Sequence, residues 1–325
     1  MPDVTELSSL IERLRSHPNV QAKLQIASAY SPALSLSGPA LLGDDTAAIP
    51  DGDGYLLFAA EGMIEAFIEF DPWFAGYSAV MVNLSDIAAM GGTSIALTDV
   101  IWTADDSPVA RELWSGMQAA SQAYGVPIVG GHTTRYPVER TPLLAVSVLG
   151  RAKKLITSFD ARPGDLLLMV IDLEAAYRGD NTLFWNASTS SSPEKLRANL
   201  ALFPQLAEAG LVTAGKDISN GGLPGTLGML LATSRCGATV HLDALPRPHE
   251  ATLERWLLSF PSYGYLLTAR PENAPQVIRH FRARGLTCAE IGEINAPLEM
   301  NFTLGSETAR FCEINPAPSP ALPNT

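Results

Sequence analysis

Hydrophobic and polar positions follow two different periods along this chain. Val4, Leu7, Leu10, Ile11 and Leu14 recur every three or four residues, which predicts a short amphipathic helix over 4–14. Apolar runs at 47–49 and 55–60 flank the turn-forming string Pro50-Asp51-Gly52-Asp53-Gly54 and predict a hairpin. Over 77–90 the period is helical again. Tyr77, Val80, Met81, Leu84, Ile87 and Ala88 share one face, and Asn83 and Asp86 stand three apart on the other. A strand-like run at 95–102 follows, then a helix over 109–124 with Leu113, Trp114, Met117, Ala120 and Tyr124 in register and Gly125 as its C-cap. Short strands are expected at 126–129, ending in Gly130-Gly131, and at 143–149.

A polar, basic stretch over 150–164 interrupts the apolar pattern, and the domain boundary is expected near residue 155, giving domains 1–155 and 156–325. The second half predicts strands at 166–173, 238–242, 263–269 and 288–294, and helices at 194–209, 222–234, 249–258 and 273–284. Residues 176–193 are polar around Phe184-Trp185 and are expected to be irregular, with 177–193 either a lid that orders on binding or a flexible surface loop, while 316–323 form a Pro-rich frayed tail. Strands mixed with crossover-length helices predict an α+β, two-layer organisation.

Composition narrows the possibilities. With 46% hydrophobic and 17% charged residues, the 325-residue chain is not of the disordered class. It carries 34 acidic against 22 basic residues, a formal net charge of −12, with no basic stripe, so no nucleic-acid partner is expected. Cys236, Cys288 and Cys312 lie far apart without a CxxC pair, and the expectation is reduced thiols in a cytoplasmic protein. No signal peptide or membrane span is expected either.

Four short segments hold candidate chemistry. Gly43-Asp44-Asp45 sets two carboxylates at a strand edge, which suits a hard cation or a plain Asp-Gly turn. The stretch 83–92 joins Asn83 and Asp86 to a Gly-Gly terminus, either a ligand approach or a solvated helix face with an ordinary C-cap. In Gly130-Gly131-His132-Thr133-Thr134 the glycines free backbone N–H groups for phosphate oxygens, or simply form a tight turn. Asp217, Ser219, Gly221 and Gly222 open a helix, where Asp217 or Ser219 serves as an N-cap or the glycines bind an anion. GxSxG, HExxH and GxGxxG motifs are absent.

In this order the four segments resemble the superfamily of aminoimidazole ribonucleotide (AIR) synthetase, thiamine-monophosphate kinase and selenophosphate synthetase, over nearly the whole chain. Gly43 to Ala48 looks like its GDDAA segment, 83–92 like NLSDxAAMGA, Gly130 to Thr133 like GGDT or GGHS, and Asp217 to Leu223 like DISDGL. Its AIR synthase-related branch is similar also in Asp71-Pro72-Trp73-Phe74-Ala75-Gly76 and Phe260-Pro261-Ser262-Tyr263-Gly264. The resemblance implies a two-domain fold whose N-terminal mixed sheet pairs with a second copy into a dimer barrel, followed by a C-terminal α/β domain. It implies ATP and Mg2+ in a cleft between domains and a small-molecule substrate. Asp44, Asp45, Glu61, Asp86 and Asp217 fall at its metal positions, with Asp44 and Asp217 catalytic. Asn83, Gly130, Gly131, His132, Thr133, Ser219 and Gly221 fall at its nucleotide positions.

Phosphoryl transfer asks a protein mainly for positioned charge, which fits such a set. The chain departs from the kinase pattern in three places. Glu61 stands where an Asp is expected, His132 replaces the Asp of GGDT, and 261–267 keeps little of GDDYELL. No cysteine lies near the N-terminus, which disfavours the selenophosphate branch. The expected activity is ATP-dependent phosphorylation or activation of a small molecule; the alternative is a nucleotide-binding partner protein without turnover.

Overall fold

The computed structural model describes residues 4–26, 43–104, 107–135 and 140–317. Its elements are α1 (Val4–Ser16), α2 (Pro18–Ile26), β1 (Ala47–Asp51), β2 (Gly54–Met63), α3 (Glu65–Phe70), α4 (Pro72–Ala89), β3 (Thr93–Thr103), α5 (Pro108–Tyr124), β4 (Ile128–Arg135) and β5 (Leu143–Ala152). There follow β6 (Leu166–Ile171), β7 (Ala176–Tyr177), β8 (Phe184–Asn186), α6 (Pro193–Leu200), α7 (Leu202–Glu208), β9 (Ala214–Asp217), α8 (Gly222–Ser234), β10 (Gly237–His241), α9 (Leu253–Leu258), β11 (Phe260–Pro261), β12 (Gly264–Ala269), α10 (Ala274–Arg282), β13 (Thr287–Asn295), β14 (Glu299–Leu304) and β15 (Glu307–Glu313). They form two units. One takes the described residues of 40–155 and 191–205, the other those of 1–39, 156–190 and 206–325.

The first unit is a five-stranded sheet in the order β1-β2-β5-β3-β4. β3 and β4 run parallel, joined through α5, and the remaining pairs are antiparallel. Asp71 starts α4 by accepting the Phe74 N–H at 3.0 Å, and Pro72 supplies a preset first turn. From Phe74 to Ala89 every residue of α4 is buried, so Asn83 and Asp86 do not sit on a solvated face. Helix α5 buries Leu113, Gly116, Met117, Ala120 and Tyr124, and Gly125 closes it in the left-handed conformation at φ 72°. The two helices touch backbone to backbone: a Cβ on Gly116 would overlap the Trp73 carbonyl, and one on Gly76 would overlap that of Leu113. Beneath them lie Leu57, Val146 and Val148. On the opposite face of the sheet, no described residue covers the apolar side chains of Ile49, Phe58 and Leu149, which are 40%, 51% and 37% exposed.

The second unit is built on seven strands ordered β15-β14-β10-β13-β6-β12-β9. Its core joins Leu7, Leu10, Ile11 and Leu14 of α1 to Leu227 and Leu231 of α8 and to Phe302 and Phe311 of β14 and β15. Helix α10 packs on β13 and β6.

The stretch 176–193, expected to be irregular, is instead folded. β7 and β8 form a hairpin, and β8 continues into a parallel pair with β11. Trp185 is 1% exposed, donates its Nε1–H to the Asp172 carbonyl at 2.9 Å and meets the Trp256 ring edge-on at 5.3 Å. Burial of so large a ring explains an apparently irregular string of polar residues. The predicted helix over 194–209 is two helices, α6 and α7, and that over 249–258 begins only at Leu253. The strand expected at 126–129 runs on as β4 through both glycines to Arg135, while α2, α3, β14 and β15 had no clear signal. Most of the Pro-rich tail lies outside the described residues.

Candidate active site

The acidic positions of the first unit converge. Gly43 turns the chain at φ 94°, and the Asp44 Oδ1 accepts the Asp45 N–H at 2.9 Å. Asp45, just ahead of β1, and Asp86, on α4, bring carboxylate oxygens to within 4.8 Å of each other, and Asp86 is only 7% exposed. At an effective dielectric of 20 two such charges repel by on the order of 3 kcal/mol, which a divalent cation would offset. The pair offers hard oxygen donors only, the donor set that suits Mg2+. Glu61 lies exposed on β2, opposite Val146 of β5.

Asn83 is wholly buried. Its Nδ2 donates to the carbonyls of Ala79 at 2.7 Å and Val146 at 3.1 Å, tying α4 to the sheet, and its Oδ1 has no hydrogen-bond partner among the described residues. Carbonyl acceptors on both sides fix the amide orientation.

Gly130, Gly131, His132 and Thr133 lie on β4, at the other edge of the same sheet. Three strands separate β4 from β1, so about 19 Å lies between those edges at the usual strand spacing. Within one protomer the structure therefore unites Asp45 with Asp86 but not with the glycine segment. The register pairs Asp99 with Gly131 and Ile101 with Thr133, whereas His132 pairs with Val100 on the opposite face. A cavity of about 860 Å³ opens between α5 and β4, its walls including Asp99, Arg111, Trp114, Gly130, Gly131 and Thr133. Trp114 is 41% exposed there.

Asp99 belongs to none of the four motif segments. It is 7% exposed on β3, beside Gly131, where a Cβ would collide with its carboxylate. Burial raises its carboxyl above the ordinary 3.8, and a main-chain hydrogen bond partly opposes the rise. The signal was present. In Leu97-Thr98-Asp99-Val100-Ile101 the acidic residue occupies the parity of the buried Leu97 and Ile101.

In the second unit, Asp217 ends β9, buried and paired with Tyr265 of β12. The Ser219 N–H donates to Thr226 Oγ1 at 3.2 Å. Neither caps α8, because the N-cap is Gly221, at φ 98°. The glycines there serve close packing. A Cβ on Gly221 would stand 3.0 Å from the Asn19 carbonyl of α2, and one on Gly222 would overlap that of Leu257.

Known proteins resemble this chain in sequence and in fold. The AIR synthase related protein N-terminal domain matches residues 43–152, and the corresponding C-terminal domain matches residues 163–304. An uncharacterized protein of Synechocystis sp. is 48% identical over 277 residues, 85% of each chain. Thiamine-monophosphate kinase of Salmonella typhimurium is 28% identical, covering 72% of this chain and 76% of that one. Among solved structures, Thermotoga maritima PurL complexed with ADP aligns with a TM-score of 0.73 at 20% identity. It covers 92% of this chain, which spans about half (49%) of PurL. AaThiL complexed with AMPPCP and TMP aligns with a TM-score of 0.66 at 18% identity over 88% of this chain and 95% of that one. The α+β, two-domain fold is that of these neighbours. No helix of the described residues is long and apolar enough to cross a membrane. With both of its halves matched in order, the chain belongs to the AIR synthase-related family.

Proposed function

We propose that this protein is an ATP- and Mg2+-dependent enzyme that phosphorylates a small molecule or activates it by phosphorylation. The observation that carries the reading is the approach of the Asp45 and Asp86 carboxylates to within 4.8 Å. Relatives named as thiamine-monophosphate kinase, and ThiL and PurL structures complexed with AMPPCP and ADP, support it. Mg2+ held by Asp45 and Asp86, with Asp44 orienting Asp45, would neutralise charge developing on a transferred phosphoryl group. Glu61 serves as a further acidic group beside that site. The cavity between α5 and β4 takes the nucleotide, with the Trp114 ring for the base and the exposed main chain of Gly130 and Gly131 for phosphate oxygens.

Two halves of a site on opposite sheet edges call for a second copy. The uncovered apolar face around Phe58 and Leu149 supports a homodimer in which the β1 edge of one protomer adjoins the β4 edge of its partner. His132, on that outer face, then meets phosphate as a donor. Three free thiols suit a cytoplasmic location. The deciding experiment is Mg2+-dependent ATP turnover against a panel of small phosphate acceptors, amides and carboxylates. Turnover with one of them supports the enzyme; tight MgATP binding without turnover across the panel favours the non-catalytic nucleotide-binding protein.

A further inference from the structure

Asp99 is out of place for a purely structural residue. It lies midway along β3, 7% exposed, in the wall of the cavity between α5 and β4. Among the described residues, two groups of that cavity's wall can carry positive charge, Arg111 on α5 and His132, which pairs with Val100 rather than with Asp99. The neighbouring β4 position is glycine, so no side chain covers the carboxylate from that strand. Desolvating a carboxylate is costly unless hydrogen-bond donors are returned to it, and the main-chain hydrogen bond it accepts offsets only part of that cost. Two features of the cavity define what could return them. Trp114 offers a partly exposed indole, suited to stacking on a planar ring. Ser115 and Gln118, on the same side of α5, add neutral hydrogen-bonding groups that reach ring edges without adding charge.

The geometry points to Asp99 as the residue that selects the nucleobase, accepting a hydrogen bond from the exocyclic amino group of an adenine stacked on Trp114. This inference rests on the nucleotide reading above and adds to it the choice of base. A carboxylate only accepts hydrogen bonds. It favours a purine carrying an amino group at C6 and opposes one carrying a carbonyl there, whose oxygen is also only an acceptor. An asparagine at the same place keeps the shape but offers an N–H to that carbonyl.

The test is the ratio of two affinities. Calorimetry measures MgATP and magnesium inosine triphosphate binding to the full chain, to Asp99→Asn and to the smaller Asp99→Ser. The parent is expected to prefer ATP by on the order of 10-fold, the weight of a hydrogen bond to a charged group. Both variants are expected to bring the ratio close to one. A merely structural role would lower both affinities together and leave the ratio alone. ATP preference that survives in either folded variant overturns the assignment, as does a parent that binds both nucleotides equally. A parent that binds neither nucleotide overturns the nucleotide reading itself, and this inference with it.

Discussion

The Asp99 carboxylate occupies the space that a side chain on Gly131 would need, while nothing lies within 4 Å of the corresponding point on Gly130. Two adjacent glycines of one motif therefore differ in their tolerance. Gly131→Ala forces Asp99 or β4 to move and is expected to cost about 1–3 kcal/mol, the usual range for overpacking. Gly130→Ala is expected to unfold within about 0.5 kcal/mol of the parent. Urea unfolding of the two variants checks this; equal stabilities would show that β4 yields freely at Gly131.

Asp45→Asn and Asp86→Asn each remove one charge from the carboxylate pair with little change of shape. Each is expected to weaken Mg2+-dependent ATP binding on the order of 10-fold or more. Calorimetry at fixed ATP with varied Mg2+ reads the effect. Unchanged affinity in both variants would remove the metal assignment.

The raised carboxyl of Asp99 sets a pH dependence of stability. The folded chain holds that proton to higher pH than the unfolded chain does, so the folded state loses stability as pH rises through the folded value. Below the ordinary 3.8 the carboxyl is neutral in both states and the cost vanishes. Ligand-free Asp99→Asn, which does not titrate, is therefore expected to melt above the parent at pH 7, with the gain shrinking toward acid. Melting curves across pH decide it, and a gain that grows on acidification would contradict the sign.

Phe58 stands at the centre of the uncovered sheet face, paired across the strands with Ala47 and Leu149. Phe58→Asp is expected to convert a dimer into a monomer in light scattering at micromolar concentration. If the site is shared between protomers, mixing Asp86→Asn with His132→Ala restores about a quarter of parental turnover, because half the dimers are mixed and each carries one intact site. No recovery on mixing, despite exchange of subunits, would place the whole site within one protomer.

Burial pushes the Cys236 and Cys288 thiols up to about 12, aided at Cys236 by the Asp165 charge, and pushes Cys312 up to about 11. All three are expected to react with iodoacetamide at pH 8 far more slowly in the native chain than after unfolding. Mass spectrometry of modified peptides reads each site. Rapid native modification at Cys288 would mean that its surroundings open.

The sequence made legible whatever rests on local periodicity. Leu113, Met117 and Ala120 announced α5, and the Asp-Gly string announced the β1–β2 turn. It was silent where tertiary burial overrides the period. Helix α4 is buried all round, so its apparent polar face at Asn83 and Asp86 is an interior one. β14 and β15 interleave polar residues with Met300, Phe302 and Phe311, a weaker signal than a solid apolar run. Adjacent acidic residues marked Asp45 from the sequence alone. Asp99 carries no motif, and only the pairing of β3 with β4 shows what it faces.

The second unit draws its first two helices from the start of the chain and its last core strand from residues 307–313. During synthesis, Leu7, Leu10, Ile11 and Leu14 emerge about 300 residues before the Phe302 and Phe311 side chains that cover them, at roughly 5–20 residues per second. For that interval of some tens of seconds the native cover of this apolar stripe is incomplete, with Leu227 and Leu231 of α8 arriving before Phe302 and Phe311. A fragment beginning at residue 156 thus lacks part of the core of its own unit.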